Sequence, residues 1–364
     1  MKDIKPQIIA FYLPQFHPVK ENDEWWGKGF TEWTNVGKAR KYYRGHYQPR
    51  IPADLGYYDL RIEDVRVQQA ELAREAGVSA FCYWHYWFGN GDQLLEQPLR
   101  EVVESGNPDF PFCLGWANHD WSKKDWNVDA NRLSVSLLKK QLYPGVDDYK
   151  QHFYTMLPTF KDRRYYKVKG RLLFYIYDLS SIPNFGEFKE IWNKLAAENG
   201  LPAFYFVANL TDSAKLKDDP YTQCDGINLN LKNNAFLGNY NRYVRWISYF
   251  SPIPINVVQY RKAMKTWLSD KFKEKTVYPT IIPNWDHSPR VGKAGTILHN
   301  STPDLFEEHV VQILDSVREK DNDDQLIFLK SWNEWAEGNY MEPDLKFGKG
   351  YIKALKNAIN KFVK

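Results

Sequence analysis

Eight short apolar runs punctuate the chain, at residues 7–13, 78–84, 111–117, 171–177, 203–208, 225–229, 277–282 and 326–329. Each has the length of a strand. Between them, apolar residues recur at helical spacing. Ile62, Val65, Leu72, Ala73 and Ala76 make one such stripe, with Asp59 placed to cap its start and Gly77 to end it. Further helices are predicted near 93–104, 147–160, 185–198, 256–271, 303–318 and 350–363. The 303–318 stripe is carried by Phe306, Val310, Ile313, Leu314 and Val317. Near-continuous apolar strands belong in a parallel sheet buried on both faces. Eight strand–helix units predict an α/β fold, a single (β/α)8 TIM barrel over residues 1–364 as one catalytic domain. A doubly wound open sheet is the alternative; it lacks the Gly-rich phosphate loop after the first strand. The length beyond a typical barrel of about 250 residues falls in long loops after strands 1, 3 and 6. The first of these, from Pro14 to about Tyr58, reads as irregular and functional.

Barrel enzymes carry their chemistry at the C-terminal ends of the strands, and polar and aromatic residues do cluster there. Gln15 and His17 follow the first run, and His85 and Tyr86 the second. Asn118, His119 and Asp120 follow the third. Trp285 and Asp286 follow the seventh, and Asn333, Glu334 and Glu337 the eighth. Asp178 and Asn209, after the fourth and fifth, read as turn or capping residues. Glu is rarely buried without a partner, so a strand ending in Asn333, Glu334 and Glu337 between Trp332 and Trp335 points to two working carboxylates. Glycosidic chemistry commonly needs such a pair, one to protonate the leaving oxygen and one as nucleophile or base. On an extended strand, Glu334 and Glu337 face opposite ways. They converge only if the chain turns after Glu334, which suits a retaining geometry. The donor needs a raised pKa, which burial against Trp332 or Trp335 supplies. Glu342 reads as a structural acid.

Composition adds a second pointer. There are 14 Trp, 24 Tyr and 21 Phe, many in polar surroundings, and aromatic faces stack on sugar rings. Lys and Arg (49) barely exceed Asp and Glu (45), which is no nucleic-acid footprint. Cys82, Cys113 and Cys224 lack the spacing of a disulfide framework or zinc site and read as core thiols. No apolar run suits a membrane span or a signal peptide, so a cytoplasmic location is expected. The pattern calls for no metal and no cofactor. The expected partner is an oligosaccharide or polysaccharide substrate; the oligomeric state is left open.

Several stretches carry a family resemblance. They are Phe11-Tyr12-Leu13-Pro14-Gln15-Phe16-His17-Pro18, the run from Glu24 to Val36, the run from Phe81 to Phe88, and Trp116-Ala117-Asn118. Trp285-Asp286 with Pro289-Arg290, and the run from Trp332 to Pro343, complete the set. On these the chain resembles the WbsX-type proteins, a glycosyltransferase family of surface-polysaccharide loci. More distantly it is similar to glycoside hydrolase family 99, the endo-α-mannosidases and endo-α-mannanases, through the Asn-Glu-Trp-x-Glu-Gly core. The resemblance implies a barrel, Glu337 as general acid/base, and Glu334 as the base that takes the proton from the sugar 2-hydroxyl. The substrate-binding candidates are Tyr12, Gln15, His17, Trp25, Trp26, Trp33, Tyr83, His85, Tyr86, Trp116, Asn118, Trp285, Asp286, Asn333 and Trp335. Of these, Trp25, Trp26 and Trp116 are expected to line the sugar cleft. The chain departs from the WbsX pattern at His119-Asp120-Trp121-Ser122-Lys123-Lys124 and at Asp178-Leu179.

Three functions compete. The first is a retaining enzyme of the family-99 kind, a hydrolase or transglycosylase of α-linked surface-polysaccharide glycans. The second is a sugar-nucleotide transferase of O-antigen, lipopolysaccharide or capsule biosynthesis. Its Asp-x-Asp candidate, Asp321-Asn322-Asp323, precedes the last strand, at the wrong end of a barrel. The third, a glycan-binding protein without activity, is disfavoured because both Glu are present.

Overall fold

The structure, a computed structural model, describes residues 5–127, 132–236, 251, 254 and 256–363. Eight parallel strands close into a barrel: β1 (Gln7–Tyr12), β2 (Ala80–Trp87), β3 (Phe112–Trp116), β4 (Arg171–Ile176), β5 (Phe204–Leu210), β6 (Gly226–Leu229), β7 (Val277–Ile281) and β8 (Leu326–Leu329). Each pairs with its sequence neighbour, and β8 pairs with β1 to close the ring, Gln7 opposite Leu326 and Ala10 opposite Leu329. All eight lie where the apolar runs place them.

The ten α-helices of the described residues are α1 (Lys20–Trp26), α2 (Glu32–Lys38), α3 (Glu63–Ala76), α4 (Gln97–Ser105), α5 (Val146–Phe160), α6 (Phe185–Glu198), α7 (Tyr260–Ala263), α8 (Ser288–Val291), α9 (Pro303–Val317) and α10 (Gly350–Val363). α3, α5, α6, α9 and α10 match the predicted stripes. Gly77 ends α3 in the left-handed conformation.

Four differences from the sequence reading have physical causes. The first loop is not irregular throughout. It holds α1 and α2, each two turns long and too short to show a period, and a Thr31/Thr34 capping box starts α2. Asp59 does not cap α3. Its carboxylate accepts from the Arg61 backbone and guanidinium, and Ile62 stands at the cap. The helix expected near 256–271 gives way to a strand, Val257–Gln259, paired with Ile297–His299, and then to α7 and 3-10 turns. β-branched Val257 and Val258 favour the strand, and the helical spacing seen in sequence belongs to short turns that bury Tyr260, Ala263, Met264 and Trp267. The helix expected from residue 93 begins at Gln97, because Gln93–Leu94 pairs with the end of β2. After β3 the chain forms a hairpin, Trp121–Asn127 against Arg132–Lys139. Tyr240, Tyr243 and Trp246, which the sequence places after the sixth strand, lie outside the described residues.

The strands alternate between two apolar layers. Phe11, Trp84, Tyr175 and Phe328 meet inside the barrel, Phe11 stacking on Trp84 at 4.7 Å. Outside it, Trp192 of α6 packs among Phe153, Phe160, Phe174, Phe188 and Phe204 and donates to the Tyr149 carbonyl. Trp192 is fully buried. Its replacement by Ala is expected to cost about 3–5 kcal/mol, read as a lower urea midpoint; an unchanged midpoint contradicts this packing.

Candidate active site

The chain beyond β8 does not leave the barrel at once. The Trp332 N–H donates to the Phe11 carbonyl at 2.8 Å. The Asn333 side chain accepts from the Leu13 N–H (2.7 Å) and donates to the Leu13 carbonyl (3.0 Å). Asn333–Glu334 then pairs antiparallel with Asn339–Tyr340, and Trp335–Glu337 forms one 3-10 turn between them. This is the turn that Glu334 and Glu337 need in order to converge. Gly338 closes it at φ +57°, and a Cβ there would lie 2.8 Å from the Asp286 Cβ and 2.9 Å from its nitrogen. No other residue fits without displacing the β7 loop. The Asp286 N–H donates to the Glu337 carbonyl (2.7 Å), and Arg50 donates to the Gly338 carbonyl (3.0 Å). The buried Asp286 carboxylate is bonded by His46 and Gln48, each at 2.7 Å, and by the Ser288 N–H. Burial pushes Asp286 up, but those partners and Arg50 outweigh it and hold the carboxyl below its usual range.

The carboxylates meet at Arg290 of α8. Its guanidinium lies 3.2 Å from Glu32, contacts Glu337 in a short hydrogen bond and lies 3.7 Å from Glu334. Glu334 also accepts from the Ser331 hydroxyl at 2.9 Å. Burial, reinforced by the charge of Glu337, raises Glu334 above the ordinary carboxylate range. Burial pushes Glu337 the same way, yet Arg290, His287, Lys232 and Lys330 together outweigh it and hold Glu337 at about 2. Glu32 is raised by burial despite Arg290. These neighbours therefore keep Glu337 ionised and leave Glu334 the readier to carry a proton.

These groups line a cleft of about 820 Å³ over the C-terminal ends of the strands. Gln15, Trp26, Tyr86, Trp285, Glu334 and Glu337, among the sequence candidates, lie on its wall. The other candidates stand behind it. Tyr12 donates to Gln69 of α3, and His17 is buried against the Pro14 carbonyl. Trp33 donates to the Tyr58 carbonyl, and Trp25 packs on Trp121. Tyr83 packs against Phe112, and His85 bonds His152 at 2.8 Å. Trp116 donates to the Trp87 carbonyl and stacks on Phe188, and Asn118 bonds Tyr143 and Asp178. Asp286 and Asn333 hold the turn that carries Glu334 and Glu337, as described above. Trp335 donates to Glu342 (2.6 Å), which also accepts from Gln69 and Tyr58. Burial lifts Glu342 to about 7 even against those donors. The expectation for Trp25 and Trp116 is thus corrected: of the three tryptophans expected in the cleft, Trp26 lines it.

Sequence reading missed Glu32, Trp84, Trp121, Tyr177, Lys232, His287, Arg290 and Lys330, all on the cleft wall. Arg290 and Glu32 sit inside the motifs quoted above, Pro289-Arg290 and Thr31-Glu32-Trp33, and could have been found there. Lys232 and Lys330 lie one to three residues after β6 and β8 and carried no motif.

Residues 8–355 match the model of the family described as Glycosyltransferase WbsX. The uncharacterized protein WxcX of Xanthomonas campestris pv. campestris is 31% identical over 357 residues, which cover 97% of this chain and 50% of WxcX. The chain thus spans about half the length of the curated relatives it matches. A glycoside hydrolase-like protein superposes with a TM-score of 0.63 at 15% identity, over 98% of this chain and 94% of its own. The GH99 endo-alpha-mannosidase of Bacteroides thetaiotaomicron superposes with a TM-score of 0.59 at 14% identity, over 100% and 98%. At such identities the structural likeness shows the shared fold.

Arg290 neutralises buried carboxylates, so removing it strands them. Arg290→Met is expected to lower stability by about 3 kcal/mol at neutral pH, the cost of breaking a partly buried ion pair. Glu337 is depressed in the fold, so its contribution is present above the unfolded carboxylate pKa and is lost as pH falls through about 2. In the variant the freed carboxylates take up protons at higher pH. The penalty should therefore shrink as pH falls from about 7 to about 4. Urea melts at both values check this, and a penalty that grows toward acid contradicts it.

Proposed function

The chain belongs to the glycosyltransferase WbsX family of carbohydrate-active enzymes, and we propose that it cleaves or transfers an α-linked glycan with retention, using Glu334 and Glu337. The observation that carries this is their shared contact with one guanidinium nitrogen. Arg290 Nη1 is 3.7 Å from Glu334 Oε1 and 2.5 Å from Glu337 Oε1, so these oxygens are at most the sum, 6.2 Å, apart. Retaining enzymes hold their carboxyl groups at about 5–5.5 Å and inverting ones at about 6.5–9.5 Å. The likeness of fold to an endo-alpha-mannosidase and the Asn333-Glu334-Trp335-Ala336-Glu337-Gly338 core point the same way.

In this reading Glu334 takes the proton of the sugar 2-hydroxyl, whose oxygen attacks the anomeric carbon. Glu337 protonates the leaving oxygen as its bond to the anomeric carbon breaks, and later deprotonates the incoming water or acceptor hydroxyl as that oxygen displaces the 2-oxygen, which takes its proton back from Glu334. Glu337 is held ionised by its cationic neighbours, so it must gain a proton as the substrate enters. A sugar that parts it from Arg290 and His287 removes two of the four cations that depress it, Lys232 and Lys330 being the others, and lets burial raise it. A second reading exchanges the roles, and the raised Glu334 beside the depressed Glu337 favours it. A sugar-nucleotide transferase of surface-polysaccharide synthesis in the cytoplasm, and a glycan-binding protein without activity, remain the alternatives.

Glu337→Gln is expected to lose about 10²–10⁴ of turnover on a natural glycan while keeping fold and binding. On an aryl glycoside with a good leaving group, which needs no proton, Glu337→Gln should recover most of its first step and Glu334→Gln should not. Recovery by Glu334→Gln instead establishes the exchanged roles. Wild-type turnover by Glu337→Gln on the natural glycan sinks the assignment.

A further inference from the structure

Three consecutive strand ends, those of β6, β7 and β8, bring two lysines onto one indole. Lys232 Nζ lies 3.2 Å from the centre of the Trp285 ring, and Lys330 Nζ lies 5.5 Å from the same point. The two ammonium groups are therefore no more than the sum, 8.7 Å, apart. Both lysines, with Trp285, line the cleft that holds Glu334 and Glu337. Arg290 takes the close contacts to Glu32, Glu334 and Glu337. No carboxylate of the described residues comes within 4.0 Å of either lysine nitrogen. Lys330 emerges directly from β8 with its N–H bonded to the Ile281 carbonyl, and Lys232 opens the 3-10 turn after β6, so neither is a loosely tethered surface side chain.

Two like charges gathered on one wall repel each other, and each ammonium, half-buried here, loses hydration that contact with one ring returns only in part. Such an arrangement is stabilised by an anion between the charges. The loops after the seventh and eighth strands are also where barrels often hold phosphate.

We infer that Lys232 and Lys330, set over Trp285, form an anion subsite of the cleft, and that the glycan taken there carries a carboxylate or a phosphate ester. The inference names the substrate class of the proposed enzyme and rests on that reading for the word glycan. The charge chemistry stands by itself. The apolar face of the sugar lies on the indole while its anionic group meets the ammonium groups.

One consequence can be measured without knowing the sugar. Burial and then the charge of Lys330 bring Lys232 down to about 7, against the opposing pull of Glu337 and Glu334. An anion favours the charged form, so at a pH just above that value its binding draws a proton onto the protein.

Wild-type protein is titrated calorimetrically with glucuronate, galacturonate and inorganic phosphate, and with glucose and galactose as neutral controls, in buffers of different ionisation heat. The expected result is saturable binding of at least one anion, with proton uptake near pH 7.5 and affinity falling about tenfold by pH 9. Lys330→Met and Lys232→Met should each weaken it by about tenfold or more, while Lys330→Arg retains it. Thermal melts confirm that the variants fold. Uronate binding assigns the anion to a sugar acid, and phosphate binding alone assigns it to a phosphoryl group; either supports the subsite. No saturable binding of any of the three anions overturns it, as does binding that both Met variants leave unchanged. Because equilibrium binding is read, turnover of neutral glycans with no anion bound defeats the subsite and spares the enzyme. Anion binding by a protein inactive on every glycan does the reverse.

Discussion

One guanidinium holds the site together. Arg290 is the counter-ion of Glu32 from the β1 loop and of Glu334 and Glu337 from the turn after β8, while it belongs itself to the β7 loop. Three carboxylates in a shared cleft would repel and would each be costly to desolvate. With a cation among them, Glu334 and Glu337 can share the cleft. The charge also divides the pair unequally: Glu337 has the short contact and stays ionised, while Glu334, farther from Arg290, is governed by burial and by its neighbour. The closer contact with Arg290, together with His287, Lys232 and Lys330, thus separates two chemically identical groups into two protonation behaviours.

Arg290 works only if the loops reach it in register, and that is set by backbone contacts beneath. Asn333 presents its amide to both polar groups of Leu13, so the turn after β8 is tied to the end of β1 as though the sheet continued. Asp286 bonds the Glu337 carbonyl from the other side, and its own carboxylate is held by His46 and Gln48 of the β1 loop. The close approach that Gly338 permits lets these two loops touch. Behind them, Glu342 draws Trp335, Tyr58 and Gln69 to one carboxyl. Residues whose polarity suggests contact with substrate are therefore spent on placing the two Glu.

This explains how far the sequence could be read. The eight strands were legible because a strand buried on both faces is apolar throughout. The same fact hides which residues of a strand face the cleft. On β2 the alternation sends Trp84 and Tyr86 to the cleft wall, and sends Tyr83, His85 and Trp87 to the outer layer, where His85 meets His152 of α5. On β1, Phe11 points into the barrel and Leu13 to the cleft, while Tyr12 turns outward to α3. With apolar and aromatic residues at both parities, nothing in the order of residues distinguishes them. Glu334 and Glu337 were legible for the opposite reason, since carboxylates beside tryptophans contradict their surroundings. Lys232 and Lys330 were not: a lysine one to three residues past a strand is unremarkable until the fold lays both on one ring.

The cleft is polarised as a result. Its β1 to β4 side presents Trp26, Trp84, Tyr86, Trp121 and Tyr177 together with Glu32 and Asp120, while its β6 to β8 side presents Lys232, His287, Arg290 and Lys330 around Trp285. Rings alone would bind any sugar face and leave a glycan free to slide or reverse, because stacking has little directional preference along the chain. Charge on one side removes that freedom. On the proposed function, a glycan with an anionic group would find one orientation in which that group meets the lysines, and this would fix which glycosidic bond passes between Glu334 and Glu337. Arg290, on the cationic side and in contact with both Glu334 and Glu337, ties the field at the lysines to the protonation state of the two carboxyls. A substrate that changes the field at Lys232 and Lys330 also changes it at Glu337, whose depression both lysines help to maintain.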